Sequence, residues 1–270
     1  MTGILYTVAT PIGNLEDITQ RALKTLESVD YILCEDTRVS SKLLSHFDIH
    51  NKLVAYHKFN EQEQVQKIME DIKSGKNIAL ISDAGTPCIS DPGRILVNKL
   101  FEENLKVVPI SGCCAISTFL SAVSKNDEEY AFIGFLPRTS SEQTEILNKF
   151  KNIDLVFYES PNRLIKTLEI ISKIRGNNTK IAIGRELTKI YEEIKVDTVE
   201  NIISHYTTNP LKGEIVVMLY KIAEKELDPE EILKKITILK SKNYSSKDIS
   251  IIISSLFDIN KNKVYKLVSE

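Results

Sequence analysis

The feature that most constrains the fold is a regular alternation of short β-branched runs and helical patterns in the first half of the chain. Ile4–Ala9 and Asp30–Glu35 are predicted strands, and Ser40–Phe47 is a predicted helix. A second helix is predicted at Asn60–Ser74, beginning with an Asn60/Glu63 capping pattern. Such alternation favours a largely parallel sheet with helices on its faces, and ligands then bind at the carboxyl ends of the strands.

The polar stretch Ser124–Glu129 is the best domain boundary, because the strand pattern resumes after it. The predicted strands of the second unit are Tyr130–Ile133, Leu155–Tyr158, Lys180–Gly184, Glu192–Val196 and Glu214–Tyr220. Beyond Ala223 the strands stop and three short helical patterns follow. The sequence therefore predicts two α/β domains, residues 1–123 and 124–223, and a basic helical appendage, residues 224–270.

Composition and cysteine spacing narrow the class of protein. With 42% hydrophobic and 27% charged residues, the chain has the composition of an ordinary globular protein. No apolar run approaches the ~20 residues of a membrane-spanning helix, and Met1–Gly13 lacks a signal-peptide pattern. We expect a cytoplasmic protein without a membrane partner. The four cysteines form no C-x-x-C pair and no zinc-like cluster with histidine, so neither a metal site nor a disulfide framework is expected.

Three loops that follow predicted strands combine glycine or proline with polar residues: Thr10–Asn14, Ser82–Pro87 and Ser111–Ala115. Glycine lets the backbone approach a ligand closely, and free N–H groups before a helix receive carboxylate or ribose oxygens. Each loop alone is also what an ordinary strand-to-helix turn looks like, but together they outline a small-molecule cleft. The chain has no G-x-G-x-x-G, no P-loop and no G-x-S-x-G elbow, which argues against dinucleotide, nucleotide-hydrolysing and serine-nucleophile chemistry.

Charged clusters at strand ends give a second signal. The clearest are Glu35–Arg38, His57–Glu61, Glu159–Arg163, Arg185–Lys189 and Lys212–Glu214. Only seven of the 35 basic residues are arginine, and six of those seven lie in or beside the loops and polar clusters. Arginine among lysines suggests a need for planar, bidentate recognition of carboxylate or phosphate. Surface ion pairs remain the alternative explanation for any single cluster.

Taken in order and spacing, these residues resemble the ribosomal RNA small subunit methyltransferase I family of the tetrapyrrole-methylase superfamily, from about Gly3 to Leu219. The segments that carry the resemblance are Ala9–Leu15, Glu35–Arg38, Ser82–Pro87 with Ser90–Gly93, Gly134–Pro137, the Glu159 cluster, Arg185–Lys189 and Lys212–Glu214. The sequence departs from the family pattern at Ser111–Ala115, where a proline-glycine-proline form is more usual, and at Asn162, where histidine is common.

The resemblance implies an S-adenosylmethionine-dependent enzyme that methylates a cytidine 2′-oxygen in small-subunit (16S) ribosomal RNA. It also implies a homodimer of two-domain α/β subunits, with the cofactor in the cleft between the domains. The cofactor-binding residues that it implies are Pro11, Asp83, Gly85, Thr86, Ile89, Cys114, Ala115, Tyr158, Leu187 and Gly213. The substrate that the resemblance implies is ribosomal RNA or a ribosomal particle, and a tetrapyrrole or diphthine-type methyltransferase of the same fold is the alternative enzyme.

Methylation of a 2′-hydroxyl requires alignment for in-line displacement and a general base for a poorly acidic proton. The base candidates are Lys189, Glu186, Asp36 and Glu35, on two clusters that we expect to face each other across the cleft. A desolvated Lys189 would serve as the base, and holding a phosphate is its alternative role. Phosphate contacts are assigned to Arg38, Arg163 and Arg185.

The end of the chain is basic. Eight lysines between Lys234 and Glu270 stand against three acidic residues, and Tyr244–Val268 resembles a small helix-turn-helix module. Such a module would supply a salt-sensitive share of RNA affinity. The alternative interpretation is that these lysines form a solvated face without a binding role. A non-catalytic RNA-binding regulator with a degenerate cleft is accordingly the rival outside the enzymes.

Overall fold

The computed structural model describes residues 2–124, 129–222, 229–257 and 259–269. The chain divides into two compact units, Met1–Lys221 and Ile222–Glu270. Both sheets lie in the first unit. The boundaries that the sequence predicts, at Ser124–Glu129 and at residue 224, fall mainly on residues 125–128 and 223–228, which are outside the described residues.

The first sheet has five strands, all parallel, in the order β3-β2-β4-β1-β5. The strands are β1 Ile4–Val8, β2 Tyr31–Cys34, β3 Leu53–Ala55, β4 Ile78–Leu80 and β5 Lys106–Ile110. The helices are α1 Gln20–Ser28, α2 Thr37–His46, α3 Glu61–Lys73, α4 Arg94–Glu102 and α5 Ala115–Ser121. Because β4, β1 and β5 are neighbours, the three glycine- or proline-containing loops that follow them lie side by side.

The starts of two helices, α2 and α3, differ from the sequence prediction in position or in capping. Helix α2 begins at Thr37 rather than Ser40, because the Asp36 carboxylate accepts from the Arg38 N–H at 2.8 Å and caps the helix. Asn60 is the N-cap residue of α3, as predicted, but the predicted capping hydrogen bond is wrong, since the Asn60 side chain makes none to the helix. Its side chain instead accepts from the His57 N–H at 2.8 Å and donates to the Ala55 carbonyl at 3.0 Å, which fixes the preceding turn.

The second sheet is mixed, in the order β6-β7-β10-β8-β9. The strands are β6 Tyr130–Phe135, β7 Asp154–Glu159, β8 Lys180–Arg185, β9 Glu193–Thr198 and β10 Ile215–Leu219. The helices are α6 Ser140–Lys149, α7 Pro161–Arg175 and α8 Val199–Thr208. Strand β10 runs antiparallel between β7 and β8, and its first residue, Ile215, pairs with Glu159 and Arg185. Loops that leave β7 and β8 therefore meet the loop that enters β10.

An apolar cluster joins the two sheets. Phe119 of α5 is fully buried together with Val156, Ala182 and Met218 from the second sheet. Gly184 makes this packing possible, because a Cβ atom there would lie 2.5 Å from the Phe119 ring. The two sheets therefore meet at this shared apolar cluster, besides the clusters that each has of its own.

The second unit contains three helices, α9 Pro229–Ser241, α10 Ser246–Phe257 and α11 Lys261–Ser269, as the sequence predicts. Their apolar faces form a separate small core of Ile232, Ile236, Ile249, Ile253, Val264 and Val268. Among the described residues, no helix is both long and apolar enough to cross a bilayer.

Candidate active site

The loops of the first sheet are tied to one another by hydrogen bonds. Thr10 and Gly85 exchange backbone hydrogen bonds of 2.9 and 3.0 Å, and Gly85 adopts φ 79°, which favours glycine. The Thr86 hydroxyl donates to the Cys113 carbonyl at 2.9 Å. The Asp83 carboxylate accepts from the Asp36 N–H at 3.1 Å. The loops after β1, β2, β4 and β5 consequently form one wall of a cleft.

The opposite wall is built around Lys189. Its ammonium group donates to Glu186 Oε1 at 2.8 Å and to Glu214 Oε2 at 2.9 Å, joining the loop after β8 to the turn before β10. Gly213 allows the close approach, because a Cβ atom there would lie 2.3 Å from the Glu186 carboxyl group. Glu186 and Thr188 have positive φ values of 49° and 67°, and backbone strain of this kind is often found at functional sites.

A cleft with a cavity volume of about 380 Å³ lies between the two walls, within the usual range for small-molecule sites. Nine of the ten predicted cofactor-binding residues line it: Asp83, Gly85, Thr86, Ile89, Cys114, Ala115, Tyr158, Leu187 and Gly213. The tenth, Pro11, is buried beside Ile12, which does line the cleft. The structure therefore brings the loops of the predicted site together.

Four lining residues, Asp91, Phe135, Glu159 and Glu214, were not among the predicted site residues, although Glu159 and Glu214 lie in charged clusters that stood out in the sequence. Asp91 and Phe135 belong to segments that carry the family resemblance, but nothing in the sequence distinguished them from their neighbours. The four base candidates, Lys189, Glu186, Asp36 and Glu35, are not among the lining residues.

The cleft is rich in carboxylates. Burial, together with the negative charges of Glu35, Asp83 and Glu214, raises the pKa of Asp91 to about 6, and a hydrogen bond from Ser82 opposes this rise. Burial and neighbouring carboxylates also raise the pKa of Glu35 and Asp83. A site of this kind favours a cationic ligand and keeps at least one carboxyl group ready to accept a proton near neutral pH.

The expectation that Lys189 loses its proton near neutral pH is wrong for this geometry. Burial lowers the pKa of Lys189, but hydrogen bonds to Glu186 and Glu214 outweigh it and raise the pKa overall. Its carboxylate partner Glu186 has a lowered pKa, mainly because Lys189 donates to it. The Asp36 pKa is lowered to about 2 by hydrogen bonds from Arg38. Of the three carboxylates among the base candidates, only Glu35 has a raised pKa, because burial and the charges of Asp83 and Asp36 disfavour its ionised form.

The three arginines assigned to phosphate differ in their surroundings. Arg38 is 88% exposed and pairs with Asp36 at 2.6 Å. Arg185 lies 3.3 Å from Glu193. Arg163 donates to the carbonyls of Leu136 and Pro137 at 2.9 and 2.7 Å, so its guanidinium is engaged within the protein. Arg38 is the most exposed of the three and is therefore the most accessible to a large anionic partner, although it is paired with Asp36.

The fold and the cleft define a class of protein. A family model described as Tetrapyrrole (Corrin/Porphyrin) Methylases matches residues 4–203. A crystal structure of diphthine synthase covers 81% of this chain and 90% of its own, with a TM-score of 0.65 and 12% identity. The cobalt precorrin-4 methyltransferase structure covers 80% and 94%, with a TM-score of 0.58 and 16% identity. At such low identity these structures show the fold alone, which is the predicted α/β class.

Closer relatives narrow the class. The chain is 41% identical to Ribosomal RNA small subunit methyltransferase I of Vibrio cholerae, over 97% of this chain and 93% of the relative. The protein of the same name from Halalkalibacterium halodurans is 45% identical, over 85% of this chain and 80% of the relative. That from Escherichia coli O157:H7 is 39% identical, over 99% of this chain and 95% of the relative. The chain belongs to this family within the tetrapyrrole methylases. It is therefore a methyltransferase that uses S-adenosylmethionine, as the sequence resemblance implied.

Proposed function

We propose that this protein transfers a methyl group from S-adenosylmethionine to a cytidine 2′-oxygen in small-subunit (16S) ribosomal RNA. The observation that carries the proposal is the acidic cleft between the two sheets, in a chain that shares about two fifths of its residues with proteins named for methylation of that RNA. The identity of the substrate is inferred from the names of the relatives, and the binding of the cofactor is inferred from the residues that line the cleft.

The cleft fits the charge and the shape of the cofactor. S-adenosylmethionine carries a sulfonium and an ammonium group, and Asp83, Asp91 and Glu214 provide negative charge along the lining. Apolar side chains such as Leu187 and Val216 line the same cleft, which suits the adenosyl part. When bound, the cofactor supplies an electrophilic methyl group.

The protein's own residues align the acceptor oxygen and remove its proton. Alignment of this kind can supply on the order of 7 to 11 kcal/mol, and a general base adds about 10²- to 10⁴-fold in rate. We assign the base to Asp91, because it lines the cleft, whereas Lys189, Glu186 and Asp36 do not. With a pKa of about 6 it is mainly ionised at pH 7 and accepts a proton far better than Asp36. Glu35, which is not a lining residue but has a raised pKa, is the alternative proton acceptor.

The test is methyl transfer from radiolabelled S-adenosylmethionine to small-subunit particles isolated from cells that lack this activity. Incorporation into 16S RNA at a ribose, located by its resistance to alkaline cleavage, is expected. Parallel reactions with naked 16S RNA, a uroporphyrinogen and elongation factor 2 separate the substrates. Transfer to the tetrapyrrole or the factor alone would refute the proposal. Binding of RNA without any transfer would instead favour the regulator.

Replacing Lys189 with methionine is expected to raise the KM for S-adenosylmethionine by roughly 3- to 30-fold, the range for losing partly exposed charged hydrogen bonds. The lysine holds the Glu186 loop against the Glu214 turn, and both segments carry cleft-lining residues. We expect kcat at saturation to change less than the KM, as measured by initial rates. Lys189→Arg, which keeps the charge, is the matched control. A collapse of kcat with unchanged KM would restore Lys189 as the base.

The second unit is expected to contribute RNA affinity but no chemistry. Lys240, Lys242 and Lys247 are exposed on it, and each one that contacts a phosphate should add about 0.7 to 0.9 to the salt slope of binding. A triple lysine-to-glutamine variant is therefore expected to bind small-subunit particles with a shallower salt dependence in filter-binding titrations. Cofactor affinity, measured by calorimetry, should not change. An unchanged slope would contradict the assignment.

We further propose that the protein is a homodimer in the cytoplasm, in line with the family resemblance. Exposed apolar side chains support a subunit contact in the first unit, since Ile190 is 94% exposed and Tyr191 is 71% exposed on the loop after β8. Light scattering in solution measures the mass that decides between dimer and monomer.

A further inference from the structure

A β-bulge at the end of strand β6 aims Phe135 at the cleft. Phe132 pairs with Val156 and Phe135 pairs with Tyr158, so β6 contains one residue more than β7 between the two pairs. Residues 132 and 135 of a regular strand would point to opposite faces. The bulge, with Gly134 at φ 70°, brings both rings onto Tyr158, at centroid distances of 5.1 and 5.5 Å.

Arg163 holds the segment that follows the bulge. Its guanidinium donates to the carbonyls of Leu136 and Pro137, and its Nε lies 3.3 Å from the buried carboxylate of Glu159. Glu159 in turn accepts from the Thr167 hydroxyl at 2.7 Å. The backbone next to Phe135 is thus fixed by a side chain from inside the protein. Because Arg163 makes these contacts, its guanidinium is not free to contact phosphate.

Phe135 nevertheless remains 58% exposed at the cleft. A large apolar ring that lies on a braced backbone, packs against Tyr158 and is still exposed at a binding site favours an occupant that stacks on it. The lining of the same cleft also contains Asp83, Asp91 and Glu214, which are acidic and repel phosphate. Stacking on a base requires no positive charge and accepts any nucleobase, so it is a mode of RNA binding that is compatible with this acidic cleft.

We propose that Phe135 is the stacking platform for a nucleobase of the RNA substrate at the active site. The proposal rests on the proposed RNA methyltransferase function and adds a positioning residue to it. The cofactor's adenine is the competing occupant. Tyr158 and Leu187 also line the cleft and are less exposed than Phe135, so they offer the adenine an apolar surface deeper in the cleft. The more exposed ring of Phe135 is then left for the substrate.

The chain contains no tryptophan, so Phe135→Trp introduces a single fluorescent reporter at the proposed platform. We expect its emission to be quenched when small-subunit particles are added in the presence of S-adenosylhomocysteine, and to change little with S-adenosylhomocysteine alone. Phe101→Trp, at a 64% exposed phenylalanine on α4, is the matched control and should report no quenching. Full quenching by the cofactor product alone, with no further effect of the particles, would overturn the proposal.

Kinetics give a second, independent readout. Phe135→Ala is expected to lower kcat/KM for the particles by about 5- to 150-fold, the range for losing one base–aromatic stack, while the Kd for S-adenosylmethionine stays within about two-fold. Phe135→Trp should retain most activity, and Phe101→Ala should behave as the unmodified protein. A Phe135→Ala enzyme with normal kcat/KM would refute the platform. If the unmodified protein methylates no RNA, the proposed function fails, and quenching by the particles still decides whether Phe135 stacks on a base.

Discussion

Replacing Asp91 with asparagine is expected to lower kcat by about 10²- to 10⁴-fold, the range for losing a general base. Asp91 lines the cleft and its raised pKa keeps it a competent proton acceptor, whereas an asparagine of the same size cannot accept the proton. Rates under saturating cofactor and particles measure the effect. Cofactor affinity by calorimetry is the control, and a loss of rate that merely follows a loss of cofactor binding would contradict the assignment.

The same assignment fixes the sign of the pH dependence. A base acts when it is deprotonated, so kcat/KM is expected to rise with pH through about 6 and then to level off. Glu35 contributes to the raised pKa of Asp91 through its negative charge. Glu35→Gln should therefore move the midpoint of the profile to lower pH. A midpoint that stays in place, or moves upward, would show that Asp91 is not the group that titrates.

Replacing Thr86 with arginine is expected to weaken S-adenosylmethionine binding by at least about 100-fold, because it places a second cation and a long side chain in a cleft for a cationic ligand. Thr86 lines the cleft, and its hydroxyl bonds the Cys113 carbonyl of the neighbouring loop. Calorimetry in the presence of EDTA measures the affinity and tests the expected independence from metal.

Thr207→Arg is the matched control for that variant, since Thr207 is exposed on α8. It should bind the cofactor as the unmodified protein does. If Thr86→Arg kept its affinity, or if EDTA abolished binding to the unmodified protein, the cleft would not be the cofactor site that we propose.

The arrangement of the first wall was accessible from sequence because it follows from local patterns. Strand–helix alternation predicted the parallel sheet, and the loop after each strand, such as Ser82–Pro87, carried its own signal of glycine, proline and polar residues. The residues that line the second wall, such as Tyr158 and Gly213, came from the family resemblance. Their meeting depends on β10 running antiparallel between β7 and β8, a pairing of distant segments that periodicity does not encode.

The roles of individual charged residues were the least predictable part. The pKa of Asp91 is raised by burial and by three carboxylates from separate loops, and that of Lys189 is raised by two partners, one of which is 25 positions away. Arg163 resembled a phosphate ligand in sequence, but its nearest acceptors are carbonyls 26 and 27 positions earlier. Each role depends on which groups the fold brings within a few ångströms.

The apolar cluster around Phe119, to which both sheets contribute, has a consequence for how the first unit folds. Phe119 is contributed by the first half of that unit, and the surface that buries it around Gly184 is contributed by the second. Neither half alone can cover its apolar surface at this point, so the two halves are expected to melt together as one cooperative block rather than one after the other. A substitution in this apolar cluster is therefore expected to lower the free energy of unfolding of the whole unit Met1–Lys221. The cleft would then be lost together with the fold rather than before it.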